Sequence, residues 1–248
     1  MSTASLYALI WITAIGSAAV SSILGMVGGT LLMSVLTLAL PVKVAIPIHG
    51  WAQFCSNAGR VIAHWRFIDW RIGGRFALLV IPGAIAGVWA ASMLEERWLS
   101  LALGVLILWM LFGPTPRAIR QMPLIGFAWL GLVSSFLGMI VGPSGPLIAP
   151  FFFGQGLEKR RLIATKAFCQ ALIQVTKLPA FLLIGAVSLQ EWGWLLLGLT
   201  VTSGIGTWIG TRVLDRIDEE TFEKLIRWAL AILSVRMIYL GVVGGLSP

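Results

Sequence analysis

The chain alternates long uncharged apolar runs with short breaks. Residues 6–24 and 194–209 carry no charged side chain. Each run is near the length that crosses a bilayer core of about 30 Å at about 1.5 Å of helix rise per residue. Gly, Pro and charged residues divide the sequence into ten segments, approximately 5–24, 30–40, 44–63, 72–93, 98–113, 122–140, 145–155, 162–186, 191–211 and 222–244. With 58% hydrophobic and only 11% charged residues, the composition lies outside the soluble globular range. A multi-spanning, all-α integral membrane protein is expected. The run 6–24 is read as a structural helix, because no Lys or Arg precedes it as in a signal peptide.

The sequence repeats itself. Val20-Ser21-Ser22-Ile23-Leu24-Gly25-Met26 returns as Val133-Ser134-Ser135-Phe136-Leu137-Gly138-Met139, differing only at Ile23 and Phe136. Gly83-Ala-Ile-Ala-Gly87 corresponds to Gly206-Thr-Trp-Ile-Gly210, both small-xxx-small faces suited to close helix approach. Leu94-Glu95-Glu96 corresponds to Ile217-Asp218-Glu219. Two repeats are expected, residues 1–115 and 121–248. Each has about five segments: four long helices and one short, glycine-broken half-helix. Short interrupted segments at matching places in two halves point to a transport site.

Basic residues assign the sides. Arg60, Arg66, Arg71 and Arg75 surround the link between segments 3 and 4. Arg117 and Arg120 lie between 5 and 6, and Lys159, Arg160, Arg161 and Lys166 between 7 and 8. Arg212, Arg216, Lys224 and Arg227 lie between 9 and 10, whereas the opposite loops hold only Lys43 and Arg97. The positive-inside rule makes the first group cytoplasmic and both termini external. The Arg-rich 3–4 link corresponds to the base-free loop 186–191. Corresponding loops therefore face opposite sides, and the repeats are expected to be inverted. The formal charge of +8 reports this orientation, and a nucleic-acid partner is not expected.

The third and eighth segments carry polar stripes. His49, Gln53, Asn57, Arg60 and His64 recur at steps of 4, 4, 3 and 4, and Lys166, Gln170, Gln174 and Lys177 at 4, 4 and 3. Each set forms one helical face, which in a membrane turns to the bundle interior or a water-filled cavity. Arg60 and His64, near the cytoplasmic end, read equally well as snorkelling to the headgroups. Every Asp and Glu falls in a loop or at a segment end, so the interior suits an anion. Gly28-Gly29-Thr30 opens the second segment and Gly142-Pro143-Ser144-Gly145 the seventh. Half-helix N-termini offer unbonded N–H groups and a positive dipole end to an oxyanion.

The expected binding residues are Gly28, Gly29, Thr30, Ser22, Gln53, Asn57, Ser135, Ser144, Gly145, Gln170, Gln174 and Lys177, with His49 as proton carrier. Ser21 and Ser134 are further hydroxyl donors. Cys55 and Cys169 each follow a Phe and read as core residues, the twelve Trp as interfacial anchors and lipid-facing bulk. No metal-ligand spacing is present, no cofactor is expected, and no catalytic constellation lies at depth.

Ser22-Ile23-Leu24-Gly25-Met26-Val27-Gly28-Gly29 and Leu137-Gly138-Met139-Ile140-Val141-Gly142-Pro143-Ser144-Gly145, with the Arg-rich loop ending in Ile68-Asp69-Trp70, resemble the TauE/SafE family of sulfite and organosulfonate exporters over nearly the whole chain. Thr30 stands where members often carry Gly, and Pro143 is a further departure. The resemblance implies export of a small sulfur-containing anion across the bacterial inner membrane. The expected function is a secondary transporter working by alternating access, with proton coupling allowed. A passive anion channel and a non-transporting membrane scaffold are the alternatives. The lipid bilayer and the anion are the expected partners, and a homodimer is open.

Overall fold

The computed structural model describes residues 3–24, 27–112, 122–153 and 155–213, and from the C-terminal stretch residues 228, 231–232, 234–239 and 241–243. The expectations for Gly25 and Met26, for Arg117 and Arg120, and for Arg216, Lys224, Arg227 and Ile217-Asp218-Glu219 lie outside these residues, as does much of the tenth segment. Among the described residues the regular structure is all helical. The helices are α1 (Thr3–Leu24), α2 (Val27–Ala39), α3 (Val42–His64), α4 (Trp70–Ala77) and α5 (Val80–Met93), then α6 (Glu96–Phe112), α7 (Gly126–Val141), α8 (Gly145–Phe153), α9 (Lys159–Leu183) and α10 (Leu189–Val213).

Helix ends follow local chemistry. The Asp69 side chain accepts from Arg71 N at 3.0 Å and starts α4. Gly142 ends α7 at φ +85°, a left-handed conformation that glycine adopts without Cβ strain. A Cβ there would also sit 3.0 Å from Met33 Sδ. Pro143 follows the stop, and Pro146 lies in the first turn of α8, where a missing N–H costs nothing. The α3 N-terminus follows Pro41, and its Val42 N–H donates to the Glu96 carboxylate of α6.

The fourth expected segment is two helices, α4 and α5, bent by 41°. Pro82, in the first turn of α5, has no N–H for the Leu78 carbonyl and crowds it. The second segment starts at Val27, so Gly28 and Gly29 lie inside its first turn. Thr3–Ser22 and Leu189–Gly210 are long and apolar enough to cross a membrane, and the bent pair Trp70–Ala77 and Val80–Met93 is a broken span or re-entrant loop.

Three helix pairs organise the bundle: α1 packs on α10, α5 on α7 and α3 on α9. Close approach rests on glycine. Gly83 lies against Leu132 and Ser135, Gly87 against Phe136, Gly206 against Ile15 and Ala18, and Gly210 against Ala19 and Ser22. A larger residue at any of them would meet neighbouring backbone. One core joins Ile10, Leu36, Ile48, Leu103 and Phe181, and a second joins Phe76, Phe127, Phe152 and Ile173. Outward, α5 exposes Ile81, Ile85 and Trp89, and α10 exposes Trp194, Leu197, Val201, Ile205 and Trp208. These spacings make continuous apolar ridges, which fit a lipid-facing surface. Not every Trp is an anchor. The indole N–H of Trp11 donates to Leu195 O, and that of Trp51 to Leu196 O, both at 3.1 Å, tying α1 and α3 to α10.

Candidate functional site

The helices α3 and α9 bring their polar stripes together. The stem of Lys177 packs on Gly50, whose missing Cβ leaves 2.8 Å to Lys177 Cδ. His49, Gln53 and Asn57 are buried along α3 and Gln170, Gln174 and Lys177 along α9. The starts of α2 and α8 close over this polar seam. Together they form a cavity lined by Gly29, His49, Gln53 and Arg60 on one side and Pro143, Ser144, Gly145, Gln170 and Gln174 on the other, with Ser21 from α1. It has room for about one water-sized sphere.

Donors dominate the lining. Each half-helix turns the positive end of its dipole to the cavity. In α8, Pro146 has no N–H and the Leu147 and Ile148 N–H groups bond to Ser144 O. That leaves the N–H groups of Ser144 and Gly145 as the backbone donors there. Gln174 Nε2 donates to Ser144 Oγ at 3.1 Å, fixing the hydroxyl that opens α8. Gln170 Oε1 and Gln174 Oε1 are buried without a hydrogen-bond partner. An amide presents either its oxygen or its NH₂ on a half turn, so both can offer donors to a ligand. Arg60 is only 7% exposed, and its guanidinium donates to Ser56 Oγ at 3.1 Å and Ser21 O at 3.4 Å. Among the described residues no Asp or Glu is buried. A buried guanidinium, polar amides and helix N-termini without a carboxylate suit an oxyanion.

Several expected contacts stand behind the cavity. Gly28 is turned to α1: Ser17 Oγ donates to its carbonyl at 2.6 Å, and a Cβ would run into Ser17 O and Ser21. The hydroxyls of Ser22 and Ser135 donate to Ala18 O and Gly131 O one turn back, and Ser134 does the same to Leu130 O. Mid-helix serines commonly bond this way. Thr30 is buried outside the lining. Asn57 Nδ2 donates to Gln53 O at 2.8 Å, which leaves Asn57 Oδ1 unpaired.

Lys177 is completely buried, and its ammonium donates to Gly142 O. It runs between Gly50 of α3 and Gly138 of α7 and so covers a carbonyl left over at the end of α7. Arg60 does the same for Ser21 O in the last turn of α1. Among the described residues the cation that lines the cavity is thus Arg60, and Lys177 lies behind the lining, against Gly50 and Gly138. Arg60 and Ser21 were the lining residues least visible in sequence. The signal was the shared 4, 4, 3 step, which sets Arg60 where Lys177 stands in the other stripe.

Cys55 and Cys169 are free thiols, half-buried and buried, and among the described residues no His/Cys/Asp/Glu group could hold a metal ion.

Comparison with known proteins agrees with the motifs. The family model for the sulfite exporter TauE/SafE matches residues 9–237. No curated protein and no solved structure gives a significant match. Since the family model covers nearly the whole chain, broken helices and polar seam included, the chain belongs to the TauE/SafE sulfite exporter family, whose members are membrane transporters.

Proposed function

We propose that the chain is a secondary transporter that exports a small oxyanion, sulfite or an organosulfonate, across the bacterial inner membrane by alternating access. One observation carries this: two broken-helix starts, Arg60 and three glutamine amides converge on one small cavity without a buried carboxylate among the described residues. The cavity is too small for the anion as it stands, so the breaks must part to admit it.

The packing supports two inverted repeats, 1–115 and 121–248. Exchanging each helix for its counterpart turns the α1–α10 pair into α7–α5 and leaves α3–α9 unchanged. The shift that carries Val20 to Val133 also carries Ala19 and Ser22 to Leu132 and Ser135. The first two touch Gly210 and the second two touch Gly83. Gly83 therefore answers to Gly210, one turn from the pairing of the sequence motifs. The loop ends support the sides. Arg161 pairs with Asp69 at 3.1 Å, joining the two Arg-rich links, while Lys43 reaches Ser92 O beside Glu95 and Glu96. With the basic links cytoplasmic, both termini are periplasmic.

The test is uptake and counterflow of labelled sulfite in proteoliposomes, alongside thermal stabilisation of the purified protein by sulfite. Counterflow and stabilisation are expected, and both should disappear in Arg60→Met and Ser144→Leu. Flux without counterflow that ignores an imposed pH gradient would indicate a passive channel. Absence of both flux and anion stabilisation would indicate a scaffold.

A further inference from the structure

His49 is the one cavity residue whose side chain ordinarily exchanges a proton near neutral pH, and its surroundings fix which nitrogen does so. The ring is fully buried, about two turns into α3. Nε2 lies 2.9 Å from Gly29 O in the first turn of α2. A carbonyl only accepts, so Nε2 carries its hydrogen. Nδ1 is then the free lone pair, and it is buried without a hydrogen-bond partner.

The charges around it are of one sign. Lys177 of α9 lies beside it, its stem on Gly50, and Lys166 of α9 stands further along the seam at the Arg60 end. Arg60, from the same helix as His49, lines the same cavity. The described parts of α1, α2, α7 and α8 bring no charged side chain to the cavity, and Glu96 of α6 is engaged at Val42 N, about two turns away. A proton on Nδ1 adds positive charge where no described carboxylate balances it, and an anion in the cavity supplies that balance. Each ligand must then favour the other by the same factor.

Resting on the reading of the cavity as an anion site, we infer that the oxyanion and a proton bind cooperatively, the proton on His49 Nδ1 while Nε2 stays on Gly29 O. The chemistry is reversible proton binding alone, with no covalent step.

The test uses the purified full chain and two probes that do not titrate near neutral pH, sulfate and methanesulfonate. Calorimetry in buffers of different ionisation enthalpy counts protons taken up between about pH 5.5 and 8.5. The expected result is uptake approaching one proton per anion, with affinity falling by up to about tenfold per pH unit in the upper range. His49→Gln, whose amide can still donate to Gly29 O, should bind without uptake or pH dependence. Because that variant could misfold, the ring nitrogens of ¹⁵N-histidine protein provide a second readout. The sequence holds two histidines, and His64→Gln assigns the signals. Adding sulfate at constant pH should convert Nδ1 of His49 from its unprotonated to its protonated signal. pH-independent binding, uptake that persists in His49→Gln, uptake lost only in Lys177→Gln, or an Nδ1 signal indifferent to sulfate would each overturn the inference and leave the anion site standing. Failure of both probes to bind at any pH would overturn the anion site and the inference with it.

Discussion

The neighbouring glycines Gly28 and Gly29 make opposite demands, and replacing each with alanine separates fold from site. At Gly28 a Cβ meets the Ser17 carbonyl and Ser21. These are largely backbone and cannot step aside without moving α1. Overpacking of this kind costs about 1–3 kcal/mol, and weakening the 2.6 Å bond from Ser17 Oγ to Gly28 O adds about 0.5–1.5 kcal/mol. The better helix propensity of Ala returns about 1 kcal/mol. The net loss of about 0.5–3.5 kcal/mol corresponds to roughly 1–14 °C in Tm for a chain of this size. At Gly29 the new methyl would lie 3.2 Å from Gln53 Oε1, the far end of a flexible chain, so Tm should hold or rise slightly. That methyl fills a cavity with room for about one water and pushes Gln53 aside, so anion binding should go. The assay is fluorescence-monitored melting of purified protein with and without sulfite. Gly28→Ala should melt lower and keep its anion shift, while Gly29→Ala should melt like wild type and lose it. Equal Tm losses in both variants, or a full anion shift in Gly29→Ala, would refute this division.

Gly74 lies in α4 with nothing within 4 Å of a would-be Cβ, so Gly74→Ala should stabilise by about 0.5–1 kcal/mol, read as a raised Tm. Gly83→Val, by contrast, drives a branched side chain into the α7 backbone at Leu132 and should abolish the monodisperse peak in size-exclusion chromatography. Asp69→Asn keeps the cap on α4 but breaks the pair with Arg161, whose side chain is 49% exposed, so it should change stability by less than about 1 kcal/mol. Asp69→Ala also loses the cap and should cost about 1 kcal/mol more, measurable by melting.

Much of the helical layout was legible because apolar runs and Gly/Pro breaks are local. The bend before Val80 had its own sign in Pro82, but a proline early in an apolar run is compatible with a kink, a new start or a straight N-terminal turn, and packing decides among them. The polar stripes were legible for a geometric reason: steps of four and three put Gln53 with His49, and Gln170 with Gln174, on one face each. What a stripe cannot show is which side chain is consumed by the fold. Lys177 and Arg60 both cover helix-end carbonyls, yet only Arg60 also lines the cavity. Ser22 and Ser135 carried a warning that composition alone hides, since a hydroxyl inside a helix has its own turn to bond.

The buried Arg60 has a consequence in electrical terms. A guanidinium keeps its charge, and here no described carboxylate is buried with it. If the site alternates as proposed, the empty carrier shifts positive charge relative to the membrane field. Charge crossing the full field is worth about 2.3 kcal/mol per elementary charge per 100 mV. An inside-negative potential would draw the empty site toward the cytoplasm; a monovalent anion bound with its His49 proton would leave that pull unchanged, whereas a divalent anion bound with the proton would cancel much of it. In an exporter of a divalent anion, voltage would then act on the reset step and leave the loaded step nearly untouched.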